Sequence, residues 1–93
     1  MTDKEAFYTK LKDSLEDTTN FPADYLYKFI VPTNGNQEKE VEAIFKETAA
    51  TYDTKFSKTG KYVSVSIELI VESADHVIEF YRKAEKIEGI ISL

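Results

Sequence analysis

The stretch Ser57 to Val71, SKTGKYVSVSIELIV, constrains the fold of this chain more than any other. Val63, Val65, Ile67, Leu69 and Val71 alternate with Tyr62, Ser64, Ser66, Glu68 and Ile70, the period of two that sends successive side chains to opposite faces of a sheet. The first set is wholly apolar, so it must face helices. Lys58-Thr59-Gly60-Lys61 reads as a short hairpin turn leading into this strand. Before the turn, Tyr52, Thr54 and Phe56 alternate with Asp53, Lys55 and Ser57, as in a strand with one wet face and a candidate sheet edge.

The rest of the chain is parsed around this hairpin. Asp3 to Glu16 carries Phe7, Tyr8, Leu11 and Leu15 along one helical stripe, with Lys4, Lys10, Asp13 and Glu16 elsewhere. Asp17 to Asp24 is a connector, because Pro22 biases Phe21 away from helical angles. Tyr25 to Val31, YLYKFIV, has the aromatic and branched composition of a strand that Pro32 closes. Thr33-Asn34-Gly35-Asn36 is turn chemistry ahead of Val41, Ile44, Phe45 and Thr48, the spacing of a half-buried helix. Glu38 and Glu40 suit the start of that helix, and Glu42 and Lys46 are spaced as an i, i+4 pair. Ser73 is an N-cap for a last helix carrying Ala74, Val77, Ile78, Tyr81 and Ala84, which Gly89 is expected to stop. Ile90 to Leu93 forms a short final strand.

After the first helix the order is β-α-β-β-α-β, the ferredoxin-like pattern of an α+β fold. It predicts a four-stranded antiparallel sheet in the order 4-1-3-2, two helices on one face, and an extra N-terminal helix. Right-handed crossovers are expected to set strands one and three together as parallel central neighbours, with strands two and four at the edges. A chain of 93 residues buries roughly 60–65% of its extended surface, which suits a single domain. Residues 1–20 then form the N-terminal helix and connector, and residues 21–93 form the core.

The face turned away from the helices should carry Leu26, Lys28 and Ile30 beside Tyr62, Ser64, Ser66 and Ile70, too apolar a surface to be wholly solvated. Three covers are open: the N-terminal helix folded over this face, the same helix folded over a sheet edge, or a second subunit.

Several segments together resemble the YbeD-like family, small bacterial proteins of unknown function. Phe21-Pro22 leading to Tyr27-Lys28-Phe29-Ile30 is similar to the family's Phe-Pro and aromatic-Lys-Val strand. Ser57-Lys58-Thr59-Gly60-Lys61-Tyr62 with Ser64-Val65-Ser66-Ile67 is similar to its Ser-x-x-Gly-x-Tyr motif and the alternating strand after it. Tyr81 and Ile90-Ile91-x-Leu93 also fit, whereas Val31-Pro32 stands where the family has a glycine. The resemblance implies a ferredoxin-like fold akin to the ACT-type domains that sense amino acids. It implies no established activity.

Composition narrows the function classes. Twelve basic against seventeen acidic residues leave a formal charge of −5, which opposes nucleic-acid phosphates and anionic membranes at long range. With no cysteine there is no disulfide, thiolate metal site or cysteine nucleophile, and the charged start MTDKEAFYTKLKD resembles no signal peptide, so a cytoplasmic protein is expected. His76 is the single histidine and reads as an ordinary helix-end residue rather than a general base. Glu38, Glu40, Glu42 and Glu47 spread around a helix rather than converge on a metal, so no metal or cofactor is expected.

Thr33, Asn34, Gly35 and Asn36 precede a helix N-terminus, the region that ACT-type domains use for their ligands, and form a candidate site for a small anionic metabolite. Leu26, Lys28, Ile30, Tyr62, Ser64 and Ser66 form a candidate partner surface, homodimerisation included. The expectation is a non-catalytic regulatory or adaptor module. The alternative is a single-stranded RNA binder using Tyr62 and Lys28, which the negative charge opposes.

Overall fold

The computed structural model describes residues 2–93, built as α1 (Asp3–Thr18), β1 (Ala23–Pro32), α2 (Gln37–Ile44), β2 (Thr51–Phe56), β3 (Tyr62–Val71), α3 (Ala74–Ala84) and β4 (Ile91–Ser92). The four strands form one sheet in the order β2-β3-β1-β4, the expected ferredoxin-like arrangement read from the other edge. One expectation is overturned: β1 and β3 are antiparallel, with Ala23 opposite Val71 and Pro32 opposite Tyr62. The helical crossover makes β2 run in the same sense as β1, and the hairpin then reverses the chain. A β3 inserted between them must therefore oppose both.

The core lies on the helical side. Tyr27, Phe29 and Val31 of β1 and Val63, Val65, Ile67 and Val71 of β3 are fully buried there, under Val41 and Phe45 from α2 and its end and under Val77 from α3. Phe45 stacks on Phe80 with ring centroids 4.6 Å apart. The Tyr27 hydroxyl donates to the Val77 carbonyl at 2.8 Å, which satisfies a polar group deep in the core. Burial raises the Tyr27 pKa, so the phenol stays neutral. At the start of α3, Ser73 Oγ accepts from the His76 N–H at 3.1 Å, the anticipated cap.

α2 ends earlier than its apolar spacing suggests, and α3 ends before the glycine expected to stop it. α2 stops at Ile44 because the next turns tighten: the Phe45 N–H donates to the Glu42 carbonyl at 3.1 Å, and Thr48 Oγ1 donates to the Phe45 carbonyl at 2.6 Å. Lys46 therefore lies beyond the helix on which it was expected to pair with Glu42. α3 ends at Ala84, and turns carry the chain to Gly89. Gly89 has φ 75°, and a Cβ there would meet Pro32 Cγ at 3.0 Å, so the return to β4 needs glycine twice over.

The N-terminal helix covers neither the open sheet face nor a sheet edge; it docks on α3. Tyr8 and Leu15 are buried, Leu11 packs partly against the core, and Phe7, expected in the same stripe, is 60% exposed. Polar contacts align the two helices. Arg82 donates through both terminal nitrogens to the Glu5 carboxylate at 3.0 and 3.1 Å and lies 4.5 Å from the centre of the Tyr8 ring. Lys12 Nζ reaches Asp75 at 3.1 Å, and the Tyr8 hydroxyl donates to Glu85 at 2.6 Å. The Glu5 carboxyl is held below its ordinary range by its hydrogen bond and charge pairing with Arg82. Burial, reinforced by the Glu85 carboxylate, pushes the Tyr8 phenol up to about 12.

Phe45→Ala removes a fully buried ring between α2, α3 and the sheet, and should cost about 3–5 kcal/mol of unfolding free energy in denaturant titration. A loss below about 1 kcal/mol would show that this ring is not central to the packing. The Tyr8 phenol is favoured neutral in the folded chain, so its contribution is complete below its unfolded pKa of 10.0 and is lost as pH rises from there towards about 12. Stability should therefore fall across that window, and Tyr8→Phe should flatten the fall; an identical pH slope in the variant would refute the α1 docking described.

Candidate functional site

The face opposite the helices is uncovered. Strand alternation places Leu26, Lys28 and Ile30 of β1 there, with Leu26 opposite Glu68, Lys28 opposite Ser66 and Ile30 opposite Ser64. β4 widens the surface, because Ile91 lies opposite Ile30 and the Leu93 N–H donates to the Lys28 carbonyl at 2.9 Å. Leu26 is 60%, Ile70 62% and Leu93 66% exposed, while Tyr62 and Ile91 are about half exposed. Ile30 and Tyr62 also line a shallow cavity of about 200 Å³ with Lys55 and Ser64. Charges of both signs flank the apolar positions: Asp24, Glu68 and Asp53 against Lys28 and Lys55.

All six residues singled out for a partner surface thus share one face. The sequence reading missed Ile91 and Leu93, which extend it. Their alternation is visible in the chain, but its phase is set by pairing with β1, a contact between residues some sixty positions apart.

The loop from Thr33 to Asn36 is only partly a site. The Thr33 N–H donates to the Lys61 carbonyl at 3.0 Å and its hydroxyl donates to the Gly60 carbonyl, which clamps the loop to the β2–β3 hairpin. A cavity of about 350 Å³ is lined by Pro32, Thr33, Asn34, Gly60, Lys61 and Tyr62, with Lys61 as its cation. Gly35 and Asn36 are outside this lining. The Gln37 side chain occupies the space that a Cβ on Gly35 would take, and Asn36 stands at the N-cap of α2 without a side-chain bond to the helix.

His76 is occupied by local structure. Its Nδ1 accepts from the Glu72 N–H at 3.0 Å, and its ring packs 5.0 Å from that of Phe80. It borders a groove of about 630 Å³ together with Asp24, Glu47, Glu68 and Thr48. Among the described residues, His, Asp and Glu do not gather in a group of three or more that could hold a metal ion. No described helix is long and apolar enough to cross a membrane.

Comparison with known proteins agrees with this architecture. The chain is similar to a UPF0250 protein of Haemophilus influenzae, 33% identical over 86 residues that cover 89% of each chain. It is also similar to one of Shewanella amazonensis, 26% identical over 83 residues, covering 86% of this chain and 94% of that one. Among solved structures, the solution structure of protein HP0495 from H. pylori superimposes with a TM-score of 0.64 at 19% identity, covering 82% of this chain and 86% of that one. That likeness speaks to the ferredoxin-like fold alone. A family model described as "Protein of unknown function (DUF493)" matches residues 16–93, so the chain belongs to this family, the YbeD-like group that its Phe-Pro and Ser-x-x-Gly-x-Tyr motifs resemble.

Proposed function

We propose that this chain is a small regulatory or adaptor module, without chemistry of its own, that binds a protein partner on its open sheet face. The observation that carries this reading is the set of apolar side chains on that face, Leu26, Ile70, Ile91 and Leu93, each about half exposed or more, with Tyr62 at one end. Exposed apolar side chains interspersed with charge suit a protein contact, because burial of the former releases water while the charges set orientation. The ordinary binding energetics of such surfaces place most of the affinity in a few central side chains. Leu26 and Ile30 of β1 are the natural candidates.

A second reading is favoured by one observation, the cavity in which Lys61 joins Thr33 and Asn34. A single cation beside polar loop groups suits a small carboxylate or phosphate compound. Asn36 contributes an α2 N-terminus close by in sequence. For single-stranded RNA the support is thinner: Ser64 and Ser66 occupy the positions where further stacking rings would be wanted, and the formal charge is −5.

Affinity capture from an extract of the source cells provides the test. Leu26→Glu and Ile70→Glu should each weaken capture of the bound protein by about tenfold or more, with melting temperature unchanged, since neither side chain contributes to the core. Equal capture by the wild type and both variants would remove the open face from consideration. For the second reading, saturating small carboxylates or phosphates should raise the melting temperature, and Lys61→Glu should abolish the rise. No rise with any of them would discard it.

A further inference from the structure

The β2 edge carries information beyond the open-face reading. Every residue of β2 is exposed, and no strand among the described residues pairs with its outer side. Hydrogen-bonding alternates along an antiparallel ladder, so each residue of an edge strand turns its N–H and C=O either inward or outward. The Ser57 N–H donates to the Tyr62 carbonyl at 2.9 Å, and the Lys55 carbonyl accepts from Ser64 Oγ at 3.3 Å. Thr51, Asp53 and Lys55 therefore face β3 with their backbone groups, while Tyr52, Thr54 and Phe56 present theirs to the outside.

We infer that β2 pairs antiparallel with β2 of a second copy of this chain, on a two-fold axis through Thr54. In this register each outward-facing pair, Thr54 with Thr54 and Tyr52 with Phe56, exchanges two backbone hydrogen bonds. The side chains match as well. Asp53 stands opposite Lys55 of the second copy, and Lys55 opposite its Asp53, so both charges on the strand find opposite partners. Tyr52, 39% exposed, meets Phe56, 58% exposed, giving two aromatic pairs on the helical side. Moving the axis by one residue either way sets Asp53 against Asp53 or Lys55 against Lys55, and a lysine on an edge strand then has its usual repelling role. The strand TYDTKF is thus self-complementary in a single register. An axis normal to the sheet keeps both helical layers on one side and joins the two open faces into one surface.

The test is the solution mass as a function of concentration. The wild type should approach twice 10.7 kDa in light scattering. Thr54→Pro removes an N–H that makes no bond within the monomer and should leave a folded monomer. Asp53→Lys and Lys55→Asp each set like charges across the axis and should raise the dissociation constant by about tenfold or more. The double exchange D53K/K55D should restore the dimer, because Lys then faces Asp again. Within the monomer these positions oppose Ser66 and Ser64, so the exchange leaves the fold intact. A wild type that stays monomeric at every concentration overturns the proposal. A dimer that survives Thr54→Pro, or one broken by Leu26→Glu instead, also overturns it by placing the contact elsewhere. Partner capture that depends on Leu26 while the mass stays monomeric would sink the β2 pairing and leave the open-face reading standing.

Discussion

The antiparallel pairing of β1 with β3 is the constraint on which the rest of the molecule depends. Ten residues of each strand are in register from Ala23 opposite Val71 to Pro32 opposite Tyr62, and no other pair of elements shares so long a contact. Because side chains alternate, one register decides both faces together. It puts Tyr27, Phe29 and Val31 under α2 and α3, and by the same step it puts Leu26, Lys28 and Ile30 on the open face. A slip of one residue would exchange the two sets. The buried row is the stronger of the two, so the exposure of Leu26 follows from the burial of Phe29.

The one-sided helical layer has a further consequence for α1. Its apolar side chains are few, and only Tyr8 and Leu15 are buried. α3 offers a complementary strip with Arg82, Asp75 and the nearby Glu85, whose partners on α1 are Glu5, Lys12 and Tyr8. Exposed ion pairs of this kind add little stability individually. Here they select the angle and height at which α1 docks while Tyr8 and Leu15 supply the burial. With α1 docked on α3, the open sheet face stays free of it, which is the physical basis for reading that face as a contact surface.

Much of the fold was legible because it is written in local periods. The alternation from Val63 to Val71, the turn at Lys58 to Lys61 and the Ser73 cap each depend on a few neighbouring residues, and all stand in the structure as anticipated. The helix ends were less legible. Ile44, Phe45 and Thr48 continue a helical spacing, but the Thr48 hydroxyl bonds the Phe45 carbonyl and the chain tightens. Phe7 shows the same limit: its spacing matches Tyr8 and Leu11, yet the position of α3 leaves it exposed. The expected parallel direction of β1 and β3 gives way to an antiparallel one, which the element order already implies once the hairpin is counted.

The sequence by itself determined the element types, the apolar face of β3, the sheet order and the family, since each is encoded in spacing or in motifs read along the chain. Tertiary structure alone decided where α1 docks and that the Thr33 hydroxyl is spent on the Gly60 carbonyl. These outcomes depend on contacts between residues far apart in the chain, where many partners are sterically possible. The choice among them comes from the balance of burial, hydrogen-bond satisfaction and charge pairing over the whole core. A single segment carries no record of that balance, which is why the docking of α1 on α3 appears only when the elements are assembled.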